Sequence, residues 1–274
     1  MKPVAFDYVR PRDLDSALEA LADGGEASRV LAGGQSLGPM LNLRLARPAL
    51  LVDIGAIPAL RAIERRGDTW HVGAMATHAT LEDDAAGIGG MVPFVARGIA
   101  YRAIRNRGTV GGSLAHADPA ADWPLALAAL GATVTIARRG HAAREVAVAS
   151  LASGAFSTCL APGEMITSVR WNALPRAARW GYAKAARKAG ELAEAAAAVV
   201  MDPANGRSRI VLGALGRPAR VLDDPRGLLE PAAANDLARI ESVVALAAPE
   251  LDAVDIRLQA GTLARALRQA GAPR

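Results

Sequence analysis

The 274-residue chain has little of several things, and each shortage narrows its function. It has a single cysteine, Cys159. That excludes an internal disulfide, a zinc site built on cysteines and an iron–sulfur cluster held by this chain alone. Aromatic residues are 4% of the sequence, so the core must rest on Leu, Val, Ile and Ala. No apolar run reaches the ~20 residues that span a bilayer, the stretch 123–137 included, and "MKPVAFDYVRP" holds no signal-peptide core. The expectation is a soluble, cytoplasmic chain without a membrane span. The formal charge of +5 and pI near 10.0 lack a basic stripe. The densest basic cluster, "ARRGHAAR" at 137–144, has no aromatic neighbours and reads as a solvated turn, which argues against a nucleic-acid partner. Neither GxGxxG nor the phosphate loop GxxxxGK[ST] is present. The four histidines show no ligand spacing, and no nucleophile–base pair stands out.

What is present is a regular alternation of elements. Asp13 is placed to cap a helix whose Leu14, Ala17, Leu18 and Leu21 share a face and which Gly24-Gly25 ends. "SRVLAG" (28–33), "ALLVDIG" (49–55) and "TWHVGAMAT" (69–77) read as strands, and "HATLEDD" opens a helix. "MVPFVARGIAYRAIRNRG" (91–108) suits one helix broken by a glycine stretch. "TVTIARRGHAAREVAVASL" (133–151) is strand–turn–strand, "EMITSVRW" (164–171) an alternating strand, and "NALPRAARW" (172–180) a boundary. A further strand at 208–216 and helices around 231–247 and 255–270 follow.

Two glycine-rich turns carry the chemistry: "LAGGQSLGPM" (31–40) and "GTVGGSLAHADP" (108–119). Each runs from an apolar lead-in to Gly-Gly and then a small polar residue. Successive N–H groups free of Cβ can form a nest for a pyrophosphate, with Ser36 and Ser113 as added donors. The same pairs can also be plain tight turns, and residues alone leave the two readings even. A metal site or a His–Asp pair from His116, Asp118 and Asp122 are further readings of the second stretch. Asp118 is placed to cap a helix starting near Pro119.

"LAGGQSLGPMLNLRLARPALLVDI" and "IRNRGTVGGSLAHADPAADWPLAL" together resemble the two FAD-binding stretches of the medium, flavoprotein subunit of molybdenum hydroxylases, of the carbon monoxide dehydrogenase and xanthine dehydrogenase type. "VGAMATHATLE", "LAPGEMITSVRW" and "KAARKAGELAEAAAAVV" lie in the matching places, and the resemblance covers residues 1–215 well. It implies an α+β fold: a two-lobed FAD-binding domain of the vanillyl-alcohol-oxidase (PCMH) type at 1–175, with sub-lobes about 1–57 and 58–175, then a smaller α/β C-terminal domain at 176–274.

The resemblance also implies roles. Ala32, Gly33, Gly34, Gln35, Ser36 and Leu37 would line one side of the FAD pyrophosphate, and Thr109, Val110, Gly111, Gly112 and Ser113 the other. Asp122 would accept a hydrogen bond from an FAD sugar hydroxyl. Ile166 would lie beside the isoalloxazine, Lys184 would place a cation near it, and Thr77 would close the site. Read from the residues alone, Lys184 is a surface lysine beginning a helix, and His116 is structural. The chain departs from the family where Glu191 and Leu192 replace an Asp–aromatic pair after Arg187-Lys188-Ala189-Gly190, a segment that lies over the flavin, and it lacks the usual Tyr-Arg pair near its end.

The function implied is an FAD-carrying electron-transfer subunit with no catalytic residue of its own. Its partners would be a small subunit with [2Fe–2S] clusters and a large subunit with the molybdopterin cofactor, assembled as a dimer of heterotrimers. A self-contained FAD oxidoreductase of the same fold, or a nucleotide-binding module without redox function, are the competing readings.

Overall fold

The computed structural model describes residues 2–84, 86–222, 226–230 and 233–271. The first lobe is a parallel three-stranded sheet in the order β1-β3-β2, made of β1 (Asp7–Val9), β2 (Ser28–Leu31) and β3 (Leu50–Asp53). Helix α1 (Leu14–Gly24) crosses between β1 and β2. Its buried face is Ala17, Leu18 and Leu21, set by the 3.6-residue period. Asp13 caps it through the Ser16 N–H at 2.8 Å. Gly25, at φ 52°, stops it in a backbone region that costs other residues energy. After β2 the chain turns through the first glycine segment into the short helix α2 (Leu37–Asn42).

The second lobe is an antiparallel sheet in the order β4-β5-β10-β6-β7. Its strands are β4 (Ile63–Arg66), β5 (Thr69–Gly73), β6 (Thr133–Arg138), β7 (Arg144–Ala147) and β10 (Glu164–Asn172), with the small hairpin β8 (Ala152–Gly154) and β9 (Ser157–Thr158) before β10. Among the described residues, five helices occupy the span between β5 and β6: α3 (His78–Asp83), α4 (Met91–Arg97), α5 (Arg102–Arg105), α6 (Val110–His116) and α7 (Asp122–Ala129). The mostly apolar α7 is buried almost throughout, as a helix without a polar face must be.

A third, antiparallel sheet follows in the order β11-β12-β13-β14: β11 (Arg179–Ala185), β12 (Ala195–Met201), β13 (Arg209–Gly213) and β14 (Arg220–Val221). It is covered on one side by α7 and on the other by α8 (Leu237–Ala247) and α9 (Ala253–Gly271). Residues 195–200 of β12 are all buried, the run expected of a strand with both faces covered. Strand β11 lies so close to α9 that a Cβ on Gly181 would fall on the Ala266 carbonyl. One apolar core joins Trp123 and Leu125 of α7 to Tyr182, Ala196, Ala198 and Val211, so this sheet is docked onto the second lobe.

Five local expectations differ from the structure. Residues 91–108 form two short helices: α4 ends at Gly98, Ala100 sits at φ 43°, and α5 begins at Arg102. The Arg105 guanidinium holds the Ile99 and Ala100 carbonyls at 2.9 and 2.8 Å, fixing that corner. The second Gly-Gly pair lies in the first turn of α6, capped by Thr109, rather than in an open turn. Lys184 stands near the end of β11 and begins no helix. Asp118 bonds the Ala120 N–H at 2.9 Å in a local turn, while α7 starts only at Asp122. Of the helix expected at 231–247, residues 231 and 232 lie outside the described residues, and α8 occupies 237–247.

Candidate functional site

The two glycine segments, some seventy-five positions apart in sequence, form a single wall. Gly33 is buried with its α-carbon against the chain at Arg107 and Gly108. A Cβ there would fall on the Arg107 carbonyl oxygen and lie 2.9 Å from Gly108 Cα. A Cβ on Gly112 would stand 3.6 Å from the Ala32 methyl. The absence of side chains is therefore what lets these backbones touch.

The segments differ in what they can still bind. In the second, the donors are consumed by the fold. Val110 N–H bonds Ala76 O at 3.1 Å, Gly111 N–H bonds Ala74 O at 2.9 Å, and Gly112 N–H bonds Thr109 Oγ1 at 3.1 Å. Ser113 N–H bonds Thr109 O at 3.0 Å. In the first, among the described residues, no protein acceptor takes the N–H groups of Gly33, Gly34, Gln35, Ser36 or Leu37. Gly34 sits at φ 71°, the conformation that lets neighbouring N–H groups converge. The Gln35 amide folds back to Gly33 O at 3.1 Å and braces the turn. Among the described residues, the backbone N–H groups left without a protein acceptor thus lie in 33–37, and 109–113 is the surface they are braced against.

Thr77 and Thr109 are joined by an isolated antiparallel bridge, each the N-cap of its helix. His78 N–H bonds Gly108 O at 2.9 Å, so α3 and α6 start side by side. The His78 ring is buried, and its Nδ1 accepts from Trp123 Nε1 at 3.0 Å. A Cβ on Gly108 would come within 2.7 Å of His78 Nε2. Nothing in the sequence signals this histidine, because its partner lies forty-five positions away. Burial, and secondarily the Arg105 charge, lower its pKa from 6.5 to about 4. The unfolded chain therefore binds a proton that the folded chain refuses between those values. Stability from this group is complete above pH 6.5 and is lost as pH falls toward 4, an effect of about 3 kcal/mol. Denaturant unfolding of wild type and His78→Gln across that window is expected to show a shallower pH slope in the variant.

Asp122 and Lys184 are brought together. The Asp122 carboxylate is 5% exposed and meets Lys184 Nζ at 3.0 Å. It also accepts from the Tyr182 hydroxyl at 2.6 Å. Burial pushes its pKa up against the pull of Lys184 and Tyr182, and burial and the carboxylate raise that of the tyrosine hydroxyl. The carboxylate expected to face a sugar hydroxyl meets Tyr182 and Lys184, because α7 packs on β12 and β13 of that sheet and these two β11 side chains reach its first residue. Tyr182 was not singled out by sequence. Its signal is the two-residue spacing to Lys184, which puts both on one face of a strand. Ile166 is buried in the sheet opposite Ile136 next to a bulge, its side chain in the core. His116 packs its ring 5.2 Å from that of Phe156. With Asp118 and Asp122 each engaged elsewhere, neither a His–Asp pair nor a metal cluster forms in that stretch. Among the described residues, no group of three or more potential ligands is placed to hold a metal, and no helix is long and apolar enough to cross a membrane.

Two lobes meeting at a glycine-built wall, followed by a docked sheet-and-helix unit, make a mixed α+β fold of the class of FAD-binding domains found in molybdopterin dehydrogenases. The chain belongs to the molybdopterin dehydrogenase FAD-binding family, whose model, "FAD binding domain in molybdopterin dehydrogenase", matches residues 4–175. It is 40% identical over 231 residues to the nicotine 6-hydroxylase medium subunit of Paenarthrobacter nicotinovorans, covering 81% of this chain and 80% of that one. It is 38% identical to the carbon monoxide dehydrogenase medium chain of Afipia carboxidovorans, covering 76% and 72%. Among solved structures it resembles carbon monoxide dehydrogenase from Hydrogenophaga pseudoflava, with TM-score 0.90, 30% identity and 98% of both chains covered.

Proposed function

We propose that this chain is the FAD-carrying electron-transfer subunit of a molybdenum hydroxylase. The observation that carries the reading is the wall at Gly33, where two glycine segments pack backbone to backbone and leave one row of N–H groups without protein acceptors. That row suits the pyrophosphate of FAD, which it would meet with uncharged donors and no metal. Bound FAD supplies the redox chemistry, taking electrons from a partner and releasing them to an external acceptor.

The chain's own residues bind and orient. Ala32 to Leu37 hold the pyrophosphate, while Thr109 to Ser113 keep that loop in place from behind. Thr77, the cap beside Thr109, closes the end of the wall. Ile166, buried in β10 next to the bulge, places an apolar strand beside the isoalloxazine. Lys184, paired with Asp122, ties the C-terminal sheet to the side of the site. Residues 1–175 then act as the FAD-binding domain and 176–274 as a C-terminal domain that covers it.

The relatives are named as medium chains or subunits of complexes, which supports a multi-subunit assembly for this chain. Its partners would be an iron–sulfur small subunit and a molybdopterin large subunit, paired as a dimer of heterotrimers in the cytoplasm. Purification of the full chain is expected to give one FAD per chain, released intact by acid. Failure of the purified chain to retain or take up FAD would refute the proposal.

A further inference from the structure

Residues 186–194 connect β11 to β12 as a strap over the corner at Gly98–Tyr101. Gly190, at φ 86°, lies on that corner backbone to backbone: its carbonyl accepts from Ala100 N–H at 3.0 Å, and a Cβ on it would come 2.7 Å from Ala100 O. A second tie is Lys184. Its ammonium donates to Gly98 O at 3.0 Å, to Glu191 O at 3.2 Å and to the Asp122 carboxylate. Three acceptors exhaust the three N–H donors of an ammonium. Such a lysine has no donor left for a ligand unless it gives up one of these bonds.

We propose that Lys184, neutralised by Asp122, is a positioning residue: a clasp that binds the strap to the corner and to the start of α7. Three elements distant in sequence meet at this one side-chain nitrogen. The strap carries Leu192, which is 57% exposed, and the corner carries Tyr101, which is 68% exposed; these apolar side chains are therefore held out by backbone ties, not by burial. The consequence for flavin shielding rests on the function proposed above, whereas the clasp is a property of the chain itself.

The test is amide exchange in the full-length chain, with and without FAD. The double variant Asp122→Asn/Lys184→Met removes both charges, so no buried ion is orphaned. In it, amides across 187–192 are expected to exchange roughly 10- to 100-fold faster than in wild type, with α1 unchanged. Lys184→Arg, which keeps charge and donors, is expected to recover most of the protection. Iodide quenching of the bound flavin's fluorescence should rise in the double variant. The milder Tyr182→Phe, which removes one donor to Asp122, is expected to raise the same exchange several-fold and serves if the double variant does not fold. Unchanged exchange across 187–192 in these variants, with a shifted flavin reduction potential, would overturn the clasp and make Lys184 a direct flavin partner. A wild-type chain that takes up no FAD would refute the functional reading, while exchange in the FAD-free chain would still decide the clasp.

Discussion

A Gly33→Ala chain is expected to lose FAD binding by roughly a hundredfold or more while keeping its secondary structure. The added methyl has no flexible neighbour to displace, because its collision is with the Arg107 carbonyl and the Gly108 α-carbon, both backbone. The wall must part there, and the row of N–H groups at 33–37 turns away from its convergence. The strain should also cost about 1–3 kcal/mol of stability. Flavin titration followed by fluorescence measures the first effect and denaturant unfolding the second. Gly140→Ala is the control: Gly140 sits at φ 72° in the turn between β6 and β7, and a Cβ there meets nothing within 4 Å. It should lose a little stability and bind FAD normally.

The second large effect is at Lys184. Lys184→Met leaves the Asp122 carboxylate buried without its counter-charge, the Tyr182 hydroxyl remaining as a side-chain donor, and should cost about 3 kcal/mol near neutral pH. The sign of its pH dependence is distinctive. Burial already raises the Asp122 pKa against the pull of Lys184. Without that ammonium the folded pKa rises further above the unfolded value, so the folded state holds a proton that the unfolded state releases. Stability in the variant is therefore retained at low pH and lost as pH rises through the folded pKa. Thermal unfolding over a pH series should show the variant approaching wild type on acidification, and Asp122→Asn in the same background should remove the pH term.

How much of this was legible in the sequence follows from what local pattern can carry. Helix α1 was readable because its cap, apolar stripe and terminal glycine are all within a dozen residues. The hairpin of β6 and β7 was equally local, with Gly140 at φ 72° where the turn was expected. The strand character of β11 and β12 was hidden by alanine, whose helix propensity masks a two-residue alternation that only Trp180, Tyr182 and Lys184 reveal. The break at Ala100 was illegible because part of its cause is tertiary: the nearby Arg105 holds that corner, but Gly190 meets it from the connection between β11 and β12.

For the site, the glycine pairs alone left a nest and a plain turn even, and the family resemblance of the two stretches pointed to FAD, the family to which the chain belongs. What the sequence could not convey is that the two segments do unlike work. Both look like nests, yet the donors of 110–113 are spent on Ala74, Ala76 and Thr109. That Asp122 and Lys184 also pair with each other is not legible in the sequence, because the pairing depends on α7 packing onto the C-terminal sheet.

The claim that this chain carries electrons for partners, and has no substrate chemistry of its own, is tested most directly by anaerobic reduction of its flavin. A substrate that reduces the flavin in the assembled complex is mixed with the FAD-loaded chain alone, and then with the chain plus its iron–sulfur and molybdopterin partners. The flavin band is expected to persist in the first mixture and to bleach in the second. Bleaching of the isolated chain by the substrate would contradict the account and identify a self-contained oxidoreductase.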